Sequence, residues 1–104
     1  MQQMMMEVHV VNAKSGEMLR AFALGDEAEV IIGRDTSCDI CITSPSVSRE
    51  HCVIEQLEGE FVIRDLGSTG GTLQGGHRIE QLRVEEGLEI QVGPTLLRFH
   101  DSGY

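Results

Sequence analysis

Apolar and polar residues alternate in short runs along most of this chain, and turn residues interrupt the runs before any reaches helical length. Glu7 to Val11, Leu19 to Leu24, Ala28 to Ile32, Asp39 to Ile42, Cys52 to Leu57 and Phe61 to Asp65 each read as a β-strand, being β-branched-rich or period-two. Ile40 and Ile42 share one face of their run, so they predict a core side with Asp39 and Cys41 pointing away. Glu58-Gly59-Glu60 reads as a hairpin turn. Arg78 to Glu86 has helix-favouring composition, but Gly75-Gly76 before it and Gly87 after it leave too short a helix to stand alone, so it reads as extended or irregular. Leu88 to Val92 alternates strictly, and Gly93-Pro94 then turns the chain into a last strand, Thr95 to Phe99. This rhythm predicts an all-β sandwich or barrel.

Length and composition narrow the picture. The 104 residues, 40% of them hydrophobic, make one domain that needs no disulfide or metal staple, with only the ends, 1–6 and 101–104, reading as flexible. Seventeen acids against eight bases give a formal charge of −9, which argues against nucleic acid or an anionic membrane as partner. The first residues lack the basic start and apolar stretch of a secretory signal, and no window approaches the ~20 apolar residues of a spanning helix. Three cysteines are an odd number for a disulfide framework, so a cytoplasmic location with reduced thiols is expected. Residues 40–49 and 66–79 contain no acid, yet carry Arg49 and Arg78 respectively. If these loops share one end of the fold, an anion site there is local.

Three pieces between the strands carry the candidate chemistry: Gly33-Arg34, Val47-Ser48-Arg49-Glu50-His51, and Asp65-Leu66-Gly67-Ser68-Thr69-Gly70-Gly71-Thr72. Arg34 offers a planar guanidinium fork, Ser48 and Thr69 offer hydroxyl donors, and Arg49 adds a more exposed charge, which together suit a phosphate. A blander alternative pairs Arg34 with Asp35 or Asp39 and lets the hydroxyls cap turns. Gly33 is expected to adopt a backbone conformation closed to residues with a Cβ. His51 and Asp65 suggest a hydrolase with Ser48, but no G-x-S-x-G nucleophile elbow is present, and both fit better as loop supports. Cys38, Cys41 and Cys52 beside His51 invite a zinc reading, which the strand pattern opposes because Cys38 and Cys41 would diverge. Asp65 to Gly70 also looks like the phosphate hairpin of actin-like sugar kinases, but one small domain has no second lobe to close on a nucleotide. No Gly-Lys-Ser or Gly-Lys-Thr occurs, and the only lysine is Lys14.

The order G-R, S-R-x-H, D-L-G-S-T-x-G-T, with Cys38-Asp39-Ile40 after the first step, resembles the forkhead-associated (FHA) domain from about Val30 to Phe99. The resemblance implies a β-sandwich of two mostly antiparallel twisted sheets, about eleven short strands, with a core over about 28–100. It also implies a non-catalytic module, without cofactor or metal, that binds a phosphothreonine-containing protein segment in signalling. Its phosphate contacts fall on Arg34, Ser48 and Thr69, with Arg49 contributing, while Gly33, His51 and Asp65 support the loops. FHA domains commonly carry asparagine where this chain has Gly70 and Gly75, and Gly-Asp where it has Gly87-Leu88. The first asparagine is the usual clamp on the peptide backbone, so Ser68, Gly70, Gln74 and Arg78 become the candidate peptide contacts, with Gln74 and Arg78 as compensations. The rival reading is a phosphate-independent interaction or assembly domain with a degenerate site. Domains of this kind often serve attached domains, so further domains of a longer parent protein are expected.

Overall fold

A computed structural model of the chain describes residues 5–25 and 27–101. Among these described residues, eleven strands form two sheets. In chain order they are β1 (Met6–Asn12), β2 (Met18–Leu24), β3 (Glu29–Gly33), β4 (Ile40–Cys41), β5 (Cys52–Leu57), β6 (Glu60–Asp65), β7 (Thr72–Gln74), β8 (His77–Arg78), β9 (Gln81–Arg83), β10 (Glu89–Val92) and β11 (Thr95–Asp101). One sheet runs β2-β1-β11-β10-β7-β8 and the other β4-β3-β5-β6-β9. All the paired strands are antiparallel except β3 and β4, which run parallel with Ile32 opposite Ile40. Of the sandwich or barrel expected from the alternation, the two sheets make it the sandwich that the family resemblance implies.

Alternation decides which side chains enter the core. Met6, Val8 and Val10 of β1, Ile32 of β3, Ile54 of β5, Ile63 of β6 and Leu97 and Phe99 of β11 all face inward and are buried. Each such large side chain contributes about 1.5–3 kcal/mol on leaving water. Ile40 and Ile42 are buried whereas Asp39 is exposed and Cys41 half-buried, as the pattern predicts. Only Ile40–Cys41 forms a ladder, and Ile42 instead donates its N–H to the Gly33 carbonyl at 2.8 Å.

Three details differ from the sequence reading. The β5–β6 turn is Glu58-Gly59 alone, both at positive φ (52° and 81°), so that Glu60 already pairs with Leu57. Arg78 to Glu86 is extended as expected, but it holds the end of β8 and all of β9, and Val84 after them is buried, its N–H donating to the Phe61 carbonyl at 2.8 Å. The expected flexible start includes Met6, which is instead 2% exposed and paired through β1 with both β2 and β11. Likewise Asp101 closes β11 opposite Met6. The remaining expected ends, residues 1–4 and 102–104, lie outside the described residues.

Candidate functional site

The loops after β3, before β5 and after β6 meet at one end of the sandwich. Arg34 leaves β3 at its last residue and is held from both sides. Its backbone N–H donates to the Ser48 carbonyl at 3.0 Å, and its Nε donates to the Val47 carbonyl at 3.0 Å. The terminal nitrogens of the fork have no hydrogen-bond partner among the described residues, and Arg34 is exposed. Neither candidate acid takes it: Asp35 accepts from the Ser37 hydroxyl at 3.0 Å, and Asp39 from the Ile31 N–H at 2.9 Å.

Ser48 and Thr69 are 21 residues apart and directly joined, because Ser48 Oγ accepts the Thr69 N–H at 3.1 Å. That bond uses an oxygen lone pair and leaves the Ser48 hydroxyl proton to donate outward. The Thr69 hydroxyl makes no hydrogen bond among the described residues. Arg34, Ser48, Arg49 and Thr69 line one open depression of about 520 Å³ together with Ser46 and Gly70, and no acid lines it. The Arg49 side chain forms no ion pair among the described residues.

His51 fixes this arrangement from inside. It is fully buried, its Nδ1 accepts the Ser48 N–H at 3.1 Å, and its Nε2 lies 2.9 Å from the Gly71 carbonyl. Accepting at Nδ1 requires that nitrogen to be bare, so Nε2 carries the hydrogen and donates to Gly71. One ring thus ties the serine loop to the glycine-rich loop. Its main chain also joins β3 and the start of the glycine-rich loop, through bonds to the Ile32 carbonyl and the Leu66 N–H.

Asp65 organises the glycine-rich loop itself. Oδ2 accepts the N–H groups of Gly67 and Ser68 at 2.9 and 3.1 Å, and Oδ1 accepts the hydroxyls of Ser68 and Thr72. Burial by itself would raise the carboxyl's pKa, but the donated bonds from Ser68, Thr72 and the loop N–H groups outweigh it and hold Asp65 below its ordinary 3.8. A depressed pKa contributes stability that is complete above the ordinary value and is lost as pH falls through the folded value. Asp65→Ala is expected to cost about 2–4 kcal/mol, since buried hydroxyls lose their acceptor at about 1–3 kcal/mol each. Thermal unfolding from neutral pH to below 3.8 checks both points: Asp65→Asn is expected to show a shallower acid loss than the parent chain.

Several candidates take other roles than the sequence suggested. Ser68 is 6% exposed, its hydroxyl donates to Asp65 and accepts the Gly71 N–H at 3.1 Å, so it is a loop support with no donor left for a peptide. Arg78 donates from Nη2 to the Thr69 carbonyl at 2.7 Å and packs over Gly71, and it does not line the depression. Thr69 is therefore held by its N–H from Ser48 and by its carbonyl from Arg78, a role for Arg78 that no local pattern signals. Gln74 is exposed on β7 and also stands outside the depression. Gly75 and Gly76 both have positive φ (55° and 84°) and form the two-residue β7–β8 turn, which Asn-Gly and Gly-Gly suit alike. The Gly75 departure is thus a turn-compatible exchange, whereas Gly70 sits in the depression.

Gly33 needs its hydrogen for a different reason than expected. Its φ is not positive; a Cβ there would lie 2.1 Å from the Arg49 carbonyl oxygen. The Cys38 thiol donates to that same oxygen at 3.1 Å and Cys41 Sγ to the Arg34 carbonyl at 3.4 Å, so each thiol serves a different loop carbonyl. Burial pushes the Cys38 thiol up, and pushes Cys52, wholly enclosed under Thr72, up to about 12. No group of three or more potential metal ligands converges among the described residues.

Residues 30–93 match the FHA domain family. The FHA domain-containing protein PS1 of Arabidopsis thaliana is 34% identical over 107 residues, covering 89% of this chain and 7% of that protein. Human kanadaptin is 36% identical over 100 residues, covering 83% of this chain and 14% of kanadaptin. The chain therefore spans a small part of these relatives. Mycobacterium tuberculosis EmbR, solved in complex with a low affinity phosphopeptide, superposes with a TM-score of 0.77 at 29% identity, over 94% of this chain and 25% of EmbR.

Proposed function

Because the chain belongs to the FHA-domain family, we infer that it is a phosphothreonine-reading module that docks a phosphorylated segment of a partner protein in signalling. FHA domains are binding modules rather than enzymes, and they read phosphorylated motifs through arginine-centred clusters. One observation carries the reading for this chain: the free end of the Arg34 fork and the hydroxyls of Ser48 and Thr69 line one acid-free depression. A phosphate of charge about −1.5 to −2 meets there a guanidinium fork and hydroxyl donors, groups well suited to satisfy it. Arg49 adds charge at the rim, and His51, Asp65 and Arg78 hold the frame.

The same inventory supports a non-catalytic role. His51 has both ring nitrogens committed to main chain, and Ser48 Oγ is bonded to the Thr69 N–H rather than to a base. We place the module, read as one domain over residues 1–104 within a longer parent protein, in the cytoplasm, where its three unpaired cysteines stay reduced. No helix among the described residues is long and apolar enough to cross a membrane.

Titration calorimetry with a peptide in phosphothreonine and unmodified forms tests the function. Binding of the phosphorylated form alone is expected. Equal binding of both would overturn the reading in favour of a phosphate-independent assembly domain. A second substitution probes how firmly the peptide is held. Gly70 offers no side chain to the peptide, and its φ is compatible with one. Gly70→Asn is expected to tighten phosphothreonine-peptide binding about two- to tenfold, as one new hydrogen bond adds about 0.5–1.5 kcal/mol. The added Cβ would sit 3.1 Å from the Ser46 carbonyl, a contact the 44–47 loop must relax. Unchanged or weaker affinity would show that this loop cannot seat a carboxamide clamp.

A further inference from the structure

A second concavity, of about 320 Å³, opens between the two sheets where β2 and β4 lie at neighbouring edges of the sandwich. Its walls are Val10 and Leu19 from one sheet, Ile40 from the other with Ile42 just beyond its strand, and Pro94 across the end. Among the described residues both flanking strands have a free edge: β2 pairs only with β1, and β4 only with β3. Two of the four large apolar side chains most exposed among the described residues, Met18 and Leu19, belong to β2. The register of β1 with β2 shifts between Val10 and Val11, so Leu19 has no cross-strand partner, and this bulge turns it toward the slot.

Charge and position both indicate what fits there. Arg20 is the slot's only charged lining residue; its guanidinium sits 5.3 Å from the Phe22 ring centroid and has no ion pair among the described residues. In a chain of net charge −9, this is a basic spot with no acid of its own. One stretch of chain runs from the slot to the phosphate depression: Ile42 to Ser44 line the one, and Pro45 to Arg49 line the other. Cys41, in the slot wall, bonds to the carbonyl of Arg34, in the depression.

We propose that this slot is a second docking surface, which takes an extended apolar segment carrying an acidic residue, from the same partner chain that presents the phosphothreonine. The proposal rests on the phosphothreonine reading. The segment pairs its main chain with the free edge of β2, sets apolar side chains between Leu19 and Ile42, and places its carboxylate on Arg20. Main-chain pairing supplies affinity and the alternate side chains supply selectivity. A phosphate anchored next door converts this weak contact into an intramolecular one.

The test uses a short phosphothreonine peptide and the same peptide lengthened, at either end in turn, by alternating valine and threonine with one aspartate. At least about tenfold tighter binding of one lengthened form is expected, with backbone amide shifts spreading from residues 46–49 and 69–70 to Leu19, Arg20, Ala21 and Thr43. Leu19→Lys combined with Arg20→Glu, both at exposed positions, is expected to remove the gain and leave the short peptide's affinity unchanged. Equal affinity of short and lengthened forms, or a gain that survives the double substitution, overturns the proposal. So does a concentration-dependent dimer abolished by Leu19→Lys, because a second copy would then own the slot. Binding of the lengthened peptide at the slot without its phosphate, with no binding of the short phosphopeptide, keeps the slot and overturns the phosphothreonine reading instead.

Discussion

Arg34→Ala is expected to abolish the distinction between a phosphothreonine peptide and its unmodified form, with a loss of about 100-fold or more in affinity for the former. The magnitude follows from what the fork alone supplies. Its Nε is committed to the Val47 carbonyl, which aims the two terminal nitrogens outward as a pair. Two hydrogen bonds to a charged acceptor at about 1.5–3 kcal/mol each reach the roughly 2.8 kcal/mol that a hundredfold change requires. Arg34→Lys is expected to fall between, since lysine keeps the charge but loses both the Val47 bond and the fork. Arg34 is exposed and its side chain makes one hydrogen bond, to the Val47 carbonyl, so either change should cost no more than about 0.5–1.5 kcal/mol of stability. Calorimetric titration read beside thermal melts separates the two effects. Retention of a tenth or more of the parent affinity in Arg34→Ala would sink the phosphate assignment.

Gly33→Ala is expected to act through the fold and reach the site by that route. The methyl group would be driven to 2.1 Å from the Arg49 carbonyl oxygen and 3.0 Å from the Cys38 sulfur, and backbone cannot swing aside as a flexible side-chain tip can. The displaced carbonyl also accepts the Asp35 N–H at 3.2 Å, so relief of the clash breaks a second link. Overpacking of this kind costs about 1–3 kcal/mol and occasionally more. For a domain of this size that corresponds to a fall of roughly 4–20 °C in Tm. Phosphopeptide affinity should drop even in the folded fraction, because Ser48 adjoins the displaced residue. Circular dichroism melts decide the point: a Tm unchanged within about 2 °C would mean that β3 and the serine loop do not approach as closely as this.

Much of the sandwich was legible because the core is built on strands whose period shows in the residues themselves. Val8, Val10, Ile32, Ile54, Ile63, Leu97 and Phe99 all fall on alternating positions, and each is buried. The short edge elements were harder to read. β8 and β9 hold two and three residues, and their Arg, Gln and Leu content suits helix as well as strand, so only pairing with β7 and β6 fixes them as extended. The chemistry of the site was legible as residue types in order, but their facing was not. Ser68 and Thr69 are adjacent hydroxyl residues in a loop without periodicity, yet Ser68 is buried against Asp65 while Thr69 is exposed and lines the depression. Arg78 carries no local sign that its guanidinium crosses to the Thr69 carbonyl.

By itself, then, the sequence determined the all-β layering, the family likeness and the stock of phosphate-binding groups, because alternation, turn residues and motif order are local properties of the chain. Tertiary structure alone decided that Arg34, Ser48 and Thr69 share one acid-free depression and that Gly33 answers to a carbonyl rather than to its own backbone angle. It alone decided, too, that Gly75 is a turn residue while Gly70 faces the site, and that two free sheet edges leave an apolar slot beside it. Apart from the Gly75 turn, which the pairing of the neighbouring strands β7 and β8 fixes, each of those facts is a distance between residues far apart in the chain, and strand pairing is a property of the assembled sheets.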